Sequence, residues 1–110
     1  MARILLFDPD ESHAKALVSA LERRRHTLTV CASRREAFDF FHASRAQLKV
    51  VIVDFSNRPE DWEFLDKVCG LTVTSVPRPG ILCVSRNNWG PSVKLRVERK
   101  GARLVYERQA

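Results

Sequence analysis

Glycine is scarce: four in 110 residues, at positions 70, 80, 90 and 101. No two lie close enough to build a glycine-rich phosphate loop, so the usual nucleotide-cradling motifs are excluded. Long apolar runs are also missing. The longest fall far short of the ~20 residues that cross a bilayer, which excludes a helical membrane span, and no membrane partner is expected. The opening run Ile4-Leu5-Leu6-Phe7 is too short for a signal peptide and ends in acids, so it reads as a buried strand. The three cysteines, Cys31, Cys69 and Cys83, form no CxxC pair. Neither a disulfide framework nor a zinc site fits them, and buried thiols in a reducing cytoplasm are expected. His13, His26 and His42 have no ligand spacing and read as surface histidines.

What remains is ordinary for a globular chain. Apolar residues make up 45% and charged residues 29%, enough for one core and one domain over residues 1–110. The formal net charge of +6 is uneven. Residues 86–110 hold seven lysines and arginines against two glutamates. Acids gather instead at Asp8, Asp10 and Glu11, and again at Asp54, Glu60, Asp61, Glu63 and Asp66. A basic C-terminal surface from Lys94 to Arg108 suits either a solvated face or a nucleic-acid or other acidic partner.

Short apolar runs alternate with amphipathic stretches. Ala14, Leu17, Val18 and Leu21 share one helical face after the first strand. Leu28-Thr29-Val30-Cys31 suits a strand. Ser33 and Glu36 then have the spacing of a capping box, followed by Ala37, Phe40 and Phe41 as a second apolar stripe. Val50-Val51-Ile52-Val53 is β-branched throughout, as a strand covered on both faces requires. Pro59 marks a third helix start with Glu60 and Asp61 in its first turn. Trp62, Leu65 and Cys69 face inward from it, and residues 70–80 read as a loop. Ile81-Leu82-Cys83-Val84 is a fourth strand. Gly90-Pro91 opens a fourth helix that Gly101 ends. Leu104-Val105-Tyr106 is a fifth strand. Trp89 reads as a semi-buried anchor or a partner surface.

Strands alternating with helices predict an α/β fold with a doubly wound, five-stranded parallel sheet. In a sheet of order 2-1-3-4-5, Asp8, Asp54 and Ser85 end neighbouring strands. Ligands gather beyond the carboxyl ends of such strands. Asp8 and Asp10 also suit a helix cap, and Ser85 a turn. A carboxylate straight after the β-branched run, at Asp54, is harder to assign to a turn.

These residues carry a resemblance. Ile4-Leu5-Leu6-Phe7-Asp8-Pro9-Asp10 resembles the first strand and acidic cluster of the receiver domains of bacterial two-component response regulators. Val50-Val51-Ile52-Val53-Asp54, followed by Pro59, resembles their phosphoacceptor strand and loop. Ile81-Leu82-Cys83-Val84-Ser85 is similar to the strand that ends in a hydroxyl, and Lys100-Gly101-Ala102 to the turn before the last strand. The resemblance spans nearly the whole chain and lacks only the family's last helix. It implies a flavodoxin-like signalling domain, not an enzyme, in a cytoplasmic phosphorelay with a sensor kinase or another signalling protein as partner. It implies Asp54 as phosphoacceptor, Ser85 as the phosphoryl-contacting hydroxyl, and a Mg2+ site of Asp8, Asp10, Asp54 and the Ser56 carbonyl.

Two departures make the site degenerate. Pro9 stands where the family has a second acid, so magnesium binding is expected to be weaker. Seven residues after Gly101 the family has a lysine; here that count reaches Arg108, or Gln109 after a one-residue slip. A pseudo-receiver working by protein contact is therefore expected. An adaptor using the basic surface is the alternative, and a small flavodoxin-like enzyme or cofactor carrier a third reading that no motif supports. With the last helix missing, a strip of sheet near the fourth and fifth strands is expected to lie open, covered by a longer chain or by a closed homodimer.

Overall fold

The computed structural model describes residues 2–107. Five strands alternate with four helices: β1 (Arg3–Phe7), α1 (Glu11–Glu22), β2 (Thr27–Cys31), α2 (Arg34–Ser44), β3 (Val50–Asp54), α3 (Pro59–Thr72), β4 (Gly80–Ser85), α4 (Pro91–Arg99) and β5 (Arg103–Tyr106). All neighbouring strands pair in parallel, in the order β2-β1-β3-β4-β5. This is the expected doubly wound, flavodoxin-like sheet.

Alternation along the strands sorts side chains onto two faces. Leu5, Phe7, Val51, Val53, Ile81, Cys83 and Leu104 join Ala37 and Phe41 of α2, Phe64, Leu65 and Val68 of α3, and Val97 of α4 in the larger core. Ile4, Leu6 and Ile52 face the other way and meet Ala14 of α1, with Leu17, Val18 and Leu21 packed beside them. Among the described residues, one helix thus covers a face whose opposite is covered by three. On the α1 face Leu82 and Val84 are half-buried and Val105 is 42% exposed, so the strip expected from the sequence is open among the described residues.

The helix ends follow local chemistry. Asp10 caps α1 and Ser33 caps α2, each side chain accepting from the third helical N–H. Pro59 and Pro91 begin α3 and α4 at positions where the missing N–H costs nothing. Gly101 follows α4 at φ 95°, a left-handed turn that glycine takes without strain. The third helix departs from expectation: it runs on through Gly70 to Thr72. The side-chain hydroxyls of Thr72, Thr74 and Ser75 donate to carbonyls of its last turn, and the expected loop begins only at Val73.

Candidate functional site

The register sets the crevice. Phe7 pairs with Val53, and Asp54 with Val84. Asp8, Asp54 and Ser85 therefore stand side by side where β1, β3 and β4 end, as the sequence predicts. Asp8 is buried, Asp54 half-buried and Ser85 buried. Burial raises the Asp54 carboxyl above its ordinary value, and the nearby Asp8 and Asp61 carboxylates push the same way. Arg86 and His13 oppose them.

Both oxygens of Asp8 are engaged within the chain. Its Oδ1 accepts the Asp10 N–H at 2.9 Å, and its Oδ2 is bonded to Nδ1 of His13. The far nitrogen of that ring, Nε2, lies 2.6 Å and 2.8 Å from the two carboxylate oxygens of Glu107. His13 is the third residue of α1, 13% exposed at its side chain. For His13 the surface-histidine reading is thus overturned, while His42 is exposed as expected. Desolvation lowers its pKa, but the bonds to Asp8 and Glu107 outweigh that and hold it above the ordinary histidine value.

Asp10 serves elsewhere. Its Oδ1 accepts the His13 N–H at 3.2 Å and its Oδ2 accepts from Nη2 of Arg86 at 2.9 Å. The Arg86 bond, with the backbone bond from His13, holds the Asp10 carboxyl below its usual range. Pairing with Asp10 likewise raises Arg86. Of the expected metal set, the helix cap and the Arg86 pair thus take the Asp10 oxygens, while Asp8 and Asp54 share the crevice. The N–H of Ser56 donates to Oδ2 of Asp61 at 2.9 Å.

Ser85 is bound on all sides. Its hydroxyl donates to the Asn87 carbonyl at 3.0 Å and accepts from the Asn87 N–H and from Nε1 of Trp89, at 3.3 Å and 2.8 Å. Trp89 is half-buried and packs on the larger core. Sequence spacing missed this tie of Trp89 to the serine four residues before it. Asp61 was missed too. It is 1% exposed and holds Nη2 of Arg34 at 2.7 Å and the N–H groups of Ser56 and Arg58. Arg34 also stacks on Phe7, 5.3 Å from its ring centre. That cluster props the loop after Asp54 against β1 and α2.

The end of β5 brings an acid that the sequence count did not single out. Tyr106 pairs with Ser85, and the Glu107 N–H donates to the Ser85 carbonyl at 2.8 Å. Among the described residues, β5 therefore brings Glu107, an acid, to the crevice. Arg108 and Gln109, the two candidates for the lysine position, lie outside the described residues. The basic C-terminal surface is partly self-engaged: Arg96 lies 4.0 Å over Trp62, and Lys100 pairs with Asp66. Lys94, Arg99 and Arg103 are exposed.

No family model and no curated protein matches the sequence. Solved structures do match in shape. A response regulator receiver domain from Clostridium thermocellum is 17% identical, with a TM-score of 0.83 over 100% of this chain and 85% of its own. A response regulator from Thermotoga maritima is 16% identical, with a TM-score of 0.81 over 100% and 87%. The chemotaxis protein CheY4 of Vibrio cholerae is 22% identical, with a TM-score of 0.76 over 97% and 85%. The fold is that of a response-regulator receiver domain. In this receiver fold the acids at the ends of β1 and β3 and the hydroxyl at the end of β4 lie where the sequence places them. Among the described residues no helix is long and apolar enough to cross a membrane.

Proposed function

We propose that the chain is a receiver-like signalling domain of a two-component system that acts through contact with a partner protein. In this reading Asp54 is the position for a phosphoryl group. The observation that carries the reading is the half-buried Asp54 carboxylate ending β3 between buried Asp8 and buried Ser85, in a receiver fold. Asp54 as nucleophile would displace the leaving group of an acyl phosphate, and Ser85 would have to leave Asn87 and Trp89 to meet the phosphoryl oxygens. A sensor kinase or another signalling protein is the partner class that this reading requires.

The residues do not fit a magnesium ion as they stand. A hard cation needs several free oxygens in octahedral array. Both Asp8 oxygens are engaged, Pro9 offers no carboxylate, and Asp10 is turned to the cap and Arg86. Among the described residues no three His, Cys, Asp or Glu side chains are arranged to hold a metal. Without such a cation the charge of an incoming phosphoryl group would meet Asp8, Asp54 and Glu107, so transfer to the native chain would be slow.

The test restores the missing groups. A Pro9→Asp, His13→Ala double variant, treated with magnesium and beryllofluoride, should show NMR shifts centred on Asp54 and Ser85. The same treatment of that variant carrying Asp54→Asn should leave the spectrum unchanged. Shifts that persist without Asp54, or that centre elsewhere, would overturn the reading.

A further inference from the structure

His13 is the feature of the crevice that neither composition nor the receiver fold leads one to expect. It sits at the third position of α1, within the first turn. The positive end of the helix dipole disfavours a cation there. Something must offset that cost and the loss of water around a ring only 13% exposed. The offset is visible: one carboxylate on each ring nitrogen, from Asp8 and Glu107. A carboxylate only accepts, so satisfying both contacts requires an N–H on both nitrogens, which is the imidazolium.

We infer that His13 is the built-in cation of this site: held between Asp8 and Glu107, its ring takes the place of a divalent metal and ties α1 to the end of β5. The inference rests on the receiver reading only for the location of the metal it displaces. Three local facts converge on it. Pro9 supplies no anion beside Asp8, which suits a cation of single charge. Oδ2 of Asp8, the oxygen beyond the Asp10 backbone bond, is the one His13 holds. Glu107 brings an anion to a strand end that faces Ser85, and it is positioned by its own N–H on the Ser85 carbonyl. A carboxylate there would be repelled by Asp8 were His13 not between the two.

The bridge joins residues 94 apart in the chain. It ties α1 directly to the end of β5, while the Arg86 bond to Asp10 ties α1 to the end of β4. Together the two bonds fix the crevice walls. A fixed crevice suits a domain presenting one constant surface to its partner.

The test is a magnesium titration of the native chain, of His13→Ala and of Glu107→Gln, followed by calorimetry and by amide NMR shifts of Asp8 and Asp54. His13→Ala should bind magnesium about tenfold tighter than the native chain or better, since one charge-assisted bond to Asp8 no longer competes. Glu107→Gln, which keeps shape but loosens the ring, should fall between them. Native binding as tight as that of His13→Ala would overturn the inference. So would a folded His13→Ala variant, verified by its amide spectrum, that gains no affinity. Either result leaves the Asp54 test untouched, because that test scores the site of beryllofluoride shifts and not the strength of magnesium binding.

Discussion

At the scale of single residues, charge and burial decide which side chains act. The His13 bridge makes stability depend on pH. Its pKa is raised in the folded chain by Asp8 and Glu107 acting against desolvation. The contribution is then fully present below the unfolded value of about 6.5 and is lost as pH rises through the folded value. The urea midpoint of the native chain should fall as pH rises above about 6.5. His13→Gln should flatten that slope, and an unchanged slope would show that the bridge does not form. Sulfur gives a second residue-scale test. Burial pushes the Cys83 thiol up to about 12 and the Cys69 thiol up to about 11, and raises Cys31. All three are free and buried. Since the thiolate is the nucleophile, the native chain at neutral pH should resist a disulfide reagent and release all three thiols only on unfolding. Fast reaction of any one in the native state would contradict this burial.

At the scale of elements, the sequence was legible where periodicity and caps agree. The β-branched run of β3, the apolar stripe of α1 and the proline starts of α3 and α4 all appear where their chemistry demands. The acids at strand ends were legible because a parallel sheet sends every carboxyl end to one edge. What was not legible depends on contacts between distant segments. His13 and Glu107 meet only because β5 returns beside β4. Its one sequence clue was a cationic residue in a first helical turn, where the dipole is wrong for it. Counting from Gly101 pointed to Arg108 or Gln109, which lie outside the described residues, and passed over Glu107 directly after β5. Asp61 looked like one more first-turn acid, whereas it is buried and braces the loop after Asp54. Removing its charge leaves Arg34 and two backbone N–H groups short of a partner. Asp61→Ala should therefore cost about 2–3 kcal/mol in urea unfolding, somewhat below the full loss of a buried pair because Arg34 is partly exposed. A loss under about 0.5 kcal/mol, the usual effect of a surface change, would contradict that role. At the turn after α4, Gly101→Ala should cost about 1 kcal/mol, since φ 95° strains any side chain.

At the scale of the whole molecule, three helices cover one face of the sheet and one covers the other among the described residues. The open strip of Leu82, Val84 and Val105 is the consequence. Apolar surface of this kind drives association. Sedimentation tests a second copy as its cover: association would give a concentration-dependent mass that Val105→Lys should reduce without unfolding the chain. A monomer at all concentrations, for both proteins, would show that the strip is too small to hold a copy. The central claim, that this sheet presents a receiver-type acceptor at Asp54 behind a cation supplied by His13, is tested most directly by covalent labelling. The native chain and the Pro9→Asp, His13→Ala variant are each incubated with acetyl phosphate and magnesium, then weighed intact and mapped by peptide. The account expects one phosphoryl group on Asp54 of the variant, with the native chain labelled at least roughly tenfold more slowly because its crevice lacks a free cation site. Label on any other residue, or equal rates in the two proteins, would contradict it.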